Sequence, residues 1–445
     1  MTTKYELSDF DKGGLNKIVR VFILYELQST SDVDQLISAL KEGVRNATLQ
    51  LPFMAGNFQF MESGKVNIVV SPESEVQVET RRLNSTELKS FSTLSKNSFS
   101  PDDLDFAKFL PEESTAAKPV CTLQFTLIDS GLVLGLRMNH AAGDWASMDR
   151  FLSLICQSSK SYQQGLEMPT FTPDLKREPY NTPSESTISR QEILEKLPIF
   201  YVMEKSDFRP KPQPPSRSCI YQITNSSVEK LKARCTPLLT EVDYITSYDC
   251  ISALMWKSIT RARLQLHPEK SATKSRFIHP IDVRTRDPEK KTSDRYFGNA
   301  VIGSQAGPLV AEALVSNEDK SLAVAATRIR QSITATDLWQ ISRMNSLVAS
   351  LSPTEMLNYG ADFGDMDIFM NSWYSGSAEK YDIGAASVPI AFRQAGAMPG
   401  ACVVILPNFS RGPVNVFDVL VQLTGEEHES LGNDAEFLTY FEPAV

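Results

Sequence analysis

His140 and Asp144 stand four residues apart in the run His140-Ala141-Ala142-Gly143-Asp144, and no other histidine of the chain has an aspartate at that distance. Imidazole titrates near neutrality, so a well-placed histidine can take a proton from a hydroxyl as that oxygen attacks a carbonyl. The aspartate admits two roles: it orients the imidazole, as in a hydrolytic triad, or its carboxylate turns elsewhere and supports the turn. Spacing leaves both open. Ser-His-Asp hydrolysis lacks its nucleophile elbow, because Gly303-Ser304-Gln305-Ala306-Gly307 carries the serine one place early. His267, His279 and His428 lie far from His140 and from one another in sequence, without metal-ligand spacing. No Gly-rich phosphate loop or dinucleotide fingerprint is present. A single histidine base is thus left with transfer chemistry, its nucleophile supplied by a substrate.

The elements around the motif follow from apolar periodicity. Gly131 to Met138 reads as a short buried strand, and Trp145, Met148, Phe151, Leu152 and Ile155 recur at helical spacing. His140 therefore sits on a strand-to-helix turn, the edge at which α/β folds present reactive groups. Ile18 to Leu27 is rich in β-branched and aromatic residues and predicts a strand. Ser31-Asp32 offers an N-cap for a helix through Val33, Leu36, Ile37, Leu40 and Val44. Leu51-Pro52-Phe53 ends that helix, and a strand begins at Asn67 to Val70. Nine prolines punctuate a Ser/Thr-rich and charged stretch at 169–215, with a helix expected at Arg190 to Lys196. Beyond it, a strand at Ile220 to Ile223 and helices from Ser226 and Ser247 resume the alternation. The expectation is an α/β protein of two similar domains, each a mixed sheet with flanking helices. They comprise residues 1–170 and 216–445, with a crossover linker at 171–215.

At 445 residues the chain is long enough for two cores. A net charge of −9 argues against nucleic acid or an anionic membrane as partner. No apolar run reaches the length of a membrane span, and the first residues lack a signal-peptide core. Cys121, Cys156, Cys219, Cys235, Cys250 and Cys402 are scattered without zinc or redox spacing, as expected of reduced thiols in a cytoplasmic protein. Monomer is the default expectation.

Six segments in order resemble the BAHD acyl-CoA-dependent acyltransferases, in particular their fungal branch. They are Leu7-Ser8-Asp9-Phe10-Asp11 with Leu51 to Gly56; His140 to Asp144; Ser252 to Lys257; Asp282 to Arg286 with Tyr296 to Ala300; Asn371-Ser372-Trp373; and Tyr381-Asp382-Ile383-Gly384. The resemblance implies a chloramphenicol-acetyltransferase-like fold with a tunnel between its domains. Its implied reaction takes an acyl group, expected to be acetyl, from acyl-CoA to a hydroxyl of a specialised metabolite. Acyl-CoA is then a co-substrate, with no tightly bound cofactor and no metal. N-acylation, a condensation-type reaction, or a tunnel that binds or cyclises a metabolite without acyl transfer are the rival readings. Asn139, where condensation domains often carry a second histidine, leans against the second of these.

By position, the resemblance makes His140 the general base and Trp373 an N–H donor to the tetrahedral intermediate. It pairs Asp144 with Arg284 as structural support of the motif, and gives Asp382 and Gly384 a bracing role on the coenzyme side. Ser252, Lys257, Tyr296, Gly298 and Asn299 fall to the coenzyme side. Basic residues outnumber acidic ones between His267 and Asn299, and Lys290 and Lys291 join Lys257 as candidates for phosphate contacts. Two departures stand out: Asp382-Ile383-Gly384-Ala385-Ala386 replaces the family's Asp-Phe-Gly-Trp-Gly, and Trp145 stands where glycine is usual. Asp362-Phe363-Gly364-Asp365 copies the late motif's letters but precedes Trp373, and is set aside as a decoy.

Overall fold

A computed structural model describes residues 1–444 apart from 16, 29–31, 62–64, 114–117, 181–188, 210, 212–213, 287–292, 385–388, 396–399 and 410–414. The strand Ile18–Glu26 is buried from Val21 to Tyr25 because both its faces are covered, so its sequence is a continuous apolar run rather than an alternation. It lies in a five-stranded sheet in the order Pro389–Ala395, Ile18–Glu26, Gly131–Asn139, Cys121–Ile128, Gln77–Leu83. The helices Val33–Gln50 and Trp145–Gln164 pack together, and Leu36, Leu40 and Val44 share one core with Met148, Leu152 and Ile155. Phe22, Phe91, Phe99 and Phe109 form a separate core with Val133 of the same sheet.

The second layer is a mixed sheet of seven strands: Val301–Val310, Lys274–Asp282, Ile368–Ser372, Cys402–Ile405, Val416–Thr424, Ser216–Thr224 and Phe441–Pro443. The helix Ser247–Leu266 is capped by Thr246 and packs against Asn225–Cys235, Asp319–Ala335 and Gly425–Gly432. Covered on so many sides, it buries nearly every residue from Asp249 to Arg263.

Two features depart from the sequence reading. The strand Pro389–Ala395 pairs antiparallel with Ile18–Glu26, Phe22 opposite Arg393, so residues 1–170 alone do not complete the first sheet. Its apolar residues would suit either sheet, and only tertiary packing chooses the partner. The crossover holds the expected helix Arg190–Lys196 but also a strand, Phe200–Glu204, which pairs with Glu355–Tyr359. It also clasps the loop before Asn299: Asp174 receives Phe297 N–H on its carbonyl, and its own N–H donates to the Arg295 carbonyl. No helix among the described residues is long and apolar enough to cross a membrane.

Candidate active site

The strand Gly131–Asn139 ends in one 3-10 turn, His140–Ala142, before the helix Trp145–Gln164 begins. Asn139 caps that turn, accepting the Ala141 N–H at 2.9 Å and donating to the Leu15 carbonyl at 3.0 Å. The His140 N–H donates to the Lys17 carbonyl at 2.8 Å. Gly14 makes this approach possible, since a Cβ there would lie 2.6 Å from the His140 carbonyl carbon. His140 is thus gripped from the N-terminal segment as well as from its own strand.

Its ring is gripped from the other half of the chain. Nδ1 lies 2.9 Å from Asn299 Oδ1, and Asn299 Nδ2 donates to the His140 carbonyl at 2.8 Å. Nε2 has no partner among the described residues. Burial, reinforced by the charge of Lys17, pushes the His140 pKa below the ordinary imidazole value of 6.5. The neutral imidazole is favoured as a result.

Asp144 faces away from His140. It caps the helix Trp145–Gln164, and its two oxygens accept Arg284 Nη2 at 2.8 Å and Nη1 at 2.9 Å, with the Ala300 N–H at 2.9 Å. Arg284 Nη2 also donates to the Gly298 carbonyl at 2.9 Å, and Tyr296 stacks on the guanidinium. Burial opposes the arginine's charge, yet the Asp144 carboxylate outweighs it and the Arg284 pKa is raised. With every lone pair of Asp144 directed here, the pair braces the turn and the facing loop, and a triad is not formed.

Trp373 follows the strand Ile368–Ser372 and is 5% exposed. Its indole lies on that of Trp145, centroids 4.9 Å apart and planes within 8°, and both meet the Phe392 ring edge-on. Trp145 Nε1 donates to Ser375 Oγ at 2.8 Å, whereas Trp373 Nε1 is buried with no acceptor among the described residues. An unpaired buried N–H costs free energy unless something else accepts from it, and a substrate oxygen would. Trp145 is therefore the platform on which Trp373 rests.

The late loop is latched to the helix that follows His140. Asp382 pairs with Lys160 at 2.7 Å and accepts the Gly384 N–H at 2.9 Å; Gln163 donates to the Ile383 carbonyl at 2.6 Å. Tyr381 and Lys380 both reach Asp149. Ala385 and Ala386, the departure from the family motif, lie outside the described residues. Asp362 pairs instead with Lys211, and Phe363 offers its carbonyl to Arg263, so that copy of the motif is a turn of the second layer.

The phosphate contact expected of Lys257 needs correction. Lys257 is fully buried and pairs with Glu436, Nζ to Oε2 3.1 Å, so it is not free for a phosphate; Ser252 is equally buried in the same helix. Both point into a core that local sequence could not reveal, because Glu436 comes from 179 residues away. Asn299 contacts the His140 ring, Gly298 the Asp144–Arg284 pair, and Tyr296 packs between Arg284 and Arg177. A Cβ on Gly298 would lie 2.5 Å from Arg177 Nη1, so close packing accounts for this glycine. Lys290 and Lys291 lie outside the described residues. Sequence reasoning gave no role to Asp11, Lys17 or Arg177. Only the Ser8-x-x-Asp11 spacing signalled one of them, as a capping box.

A model of the Transferase family matches residues 2–438. Acyltransferase cm3D of Cordyceps militaris is 23% identical, covering 98% of this chain and 96% of that protein. Trichothecene 3-O-acetyltransferase TRI101 of Fusarium sporotrichioides is 22% identical, covering 96% and 94%. The crystal structure of F. sporotrichioides TRI101 complexed with coenzyme A and T-2 superimposes over 100% of both chains with a TM-score of 0.82 at 19% identity. The two-sheet architecture is therefore shared with that protein. With a family model spanning nearly its whole length, the chain belongs to the Transferase family, the BAHD-type acyl-CoA-dependent acyltransferases, in their fungal branch.

Proposed function

We propose that the protein transfers an acyl group, acetyl foremost, from coenzyme A to a hydroxyl of a specialised metabolite, with His140 as general base. The observation that carries this reading is the imidazole itself: Nδ1 is engaged by Asn299, and Nε2 has no partner among the described residues. The acceptor hydroxyl gives its proton to Nε2 as its oxygen attacks the thioester carbon. The carbonyl electrons move onto oxygen, and the tetrahedral oxyanion accepts the Trp373 indole N–H. Collapse breaks the carbon–sulfur bond, and Nε2 returns the proton to the departing thiolate. Neither a covalent enzyme intermediate nor a triad carboxylate is required. The acetyltransferases among the relatives support the choice of acetyl, and TRI101 bound to coenzyme A supports the donor.

Acyl-CoA thiol release against panels of alcohols and amines tests this reading. Release with an alcohol and a mass gain of one acyl group supports it, and release with amines alone would replace the O-acyl reading by N-acylation. Trp373→Phe keeps the ring on Trp145 but removes the N–H, and is expected to lower kcat by roughly 10²–10³-fold with little change in melting temperature. A variant with wild-type kcat would remove Trp373 from the mechanism.

The reaction needs neutral imidazole, so the acidic limb of kcat/KM is expected below pH 6.5, the ordinary value from which His140 is lowered. Lys17→Gln removes a repelling charge, which raises the His140 pKa and moves that limb to higher pH. A limb that stays in place or moves down would contradict the electrostatic assignment.

A further inference from the structure

We propose that Asp11 is a positioning residue that fixes the tautomer of His140 through the side-chain amide of Asn299. This rests on the reading of His140 as the base.

Asp11 is wholly buried, although it lies only eleven residues into the chain. Oδ2 accepts the Ser8 N–H at 3.0 Å, completing a capping box with Ser8 Oγ, and pairs with Arg177 Nε at 3.1 Å. Oδ1 has a different task. It accepts the Asn299 backbone N–H at 2.8 Å and Asn299 Nδ2 at 3.1 Å. The second hydrogen of Nδ2 goes to the His140 carbonyl at 2.8 Å. The amine side of the amide is thus saturated by two acceptors, and the carbonyl side is left facing His140 Nδ1.

An amide can be turned over, and its surroundings decide which way it lies. Turned over, Asn299 would set its carbonyl oxygen against the Asp11 carboxylate and the His140 carbonyl, three acceptors with no hydrogen between them. The carboxylate forbids that state. Asn299 Oδ1 must then accept from His140, so the ring proton resides on Nδ1 and the lone pair on Nε2. In a hydrolytic triad a carboxylate touching the ring sets the tautomer and also stabilises the imidazolium. Here a neutral amide stands between the charge and the ring, so the tautomer is set with less pull on the imidazole pKa. The other charges that bear on His140 are Lys17, just before the strand Ile18–Glu26, and Asp144, which acts at a distance with its carboxylate turned away, while Arg177 balances Asp11 from behind.

Asp11→Asn tests this. It removes the charge and one of the two acceptor atoms, so the carboxylate no longer forbids the turned-over amide; Asn299 can then offer Nδ2 to His140 Nδ1, and the proton moves to Nε2. Nitrogen-15 spectra of histidine-labelled protein, with His140→Ala supplying the assignment, read the tautomer without any substrate. Wild type is expected to show neutral imidazole protonated on Nδ1, and Asp11→Asn a shift to Nε2. In turnover that variant is expected to lose roughly a hundredfold or more in kcat, the scale of a wrong-tautomer base. The exchanged pair Asp11→Asn with Asn299→Asp returns an acceptor to the ring. It should restore Nδ1 protonation and raise the His140 pKa above wild type, because a carboxylate now touches the imidazole, at a cost in stability since its other oxygen faces the His140 carbonyl; if the single variant does not fold, this pair carries the test. Asp11→Asn with the proton still on Nδ1, or the exchanged pair with the proton on Nε2, would overturn the proposal. The tautomer is read independently of turnover, so an active His140→Ala would overturn the base reading through a different experiment.

Discussion

His140→Ala is expected to lower kcat by roughly 10²–10⁴-fold, the usual worth of a positioned general base, while the melting temperature stays near wild type. The fold should survive because among the described residues the side chain hydrogen-bonds to Asn299 alone, whereas the turn is held through backbone groups: the His140 N–H on the Lys17 carbonyl and the His140 carbonyl on Asn299. Truncation leaves those in place. Activity measured as thiol release, beside a thermal melt of the same preparation, separates lost chemistry from lost fold. A variant that turns over like wild type would end the general-base mechanism, and one that fails to fold would assign His140 a structural role instead.

Asp144→Ala is expected to act through stability, by about 3–5 kcal/mol, because it leaves the buried Arg284 guanidinium with only the half-exposed Asp282 as counter-charge. The same change removes the N-cap of the helix Trp145–Gln164 and the acceptor of the Ala300 N–H, so the cost adds to that of the broken pair. For a chain of this length a fall in melting temperature of about 5 °C is the expected scale. Asp144→Ala combined with Arg284→Met should lose less than the two single changes together, since the second removes the stranded charge. Full stability with a large loss of kcat would instead make Asp144 a partner of the catalytic ring, contrary to the geometry of its four hydrogen bonds.

What was legible in the sequence depended on the distance over which it is encoded. Gly131 to Met138 and the stripe from Trp145 to Ile155 announce their strand and helix because periodicity is local, and the expected helix Arg190–Lys196 is present, capped by Ser189. The strand Pro389–Ala395 was not placed because its partner, Ile18–Glu26, lies more than 360 residues earlier in sequence and no local signal selects one sheet over another. The crossover hid the strand Phe200–Glu204 for the same reason, its partner being Glu355–Tyr359. Burial of charge is similarly nonlocal. Lys257 reads as an available cation until Glu436 is brought beside it, and the contact of Asn299 with the His140 ring shows only once the loop is folded onto it. His140 itself needed only its turn.

Donor binding can be measured before the acceptor is known, and it tests the central claim that an acyl-CoA is the source of the acyl group. Thermal melts of wild type and His140→Ala would be recorded across a concentration series of acetyl-CoA. A ligand that binds only the native state must raise the melting temperature with concentration. The account predicts a concentration-dependent rise in both proteins, because His140 serves the chemistry and the coenzyme does not depend on it for binding. No rise in either protein, up to millimolar acetyl-, malonyl- or longer acyl-CoA, would contradict it.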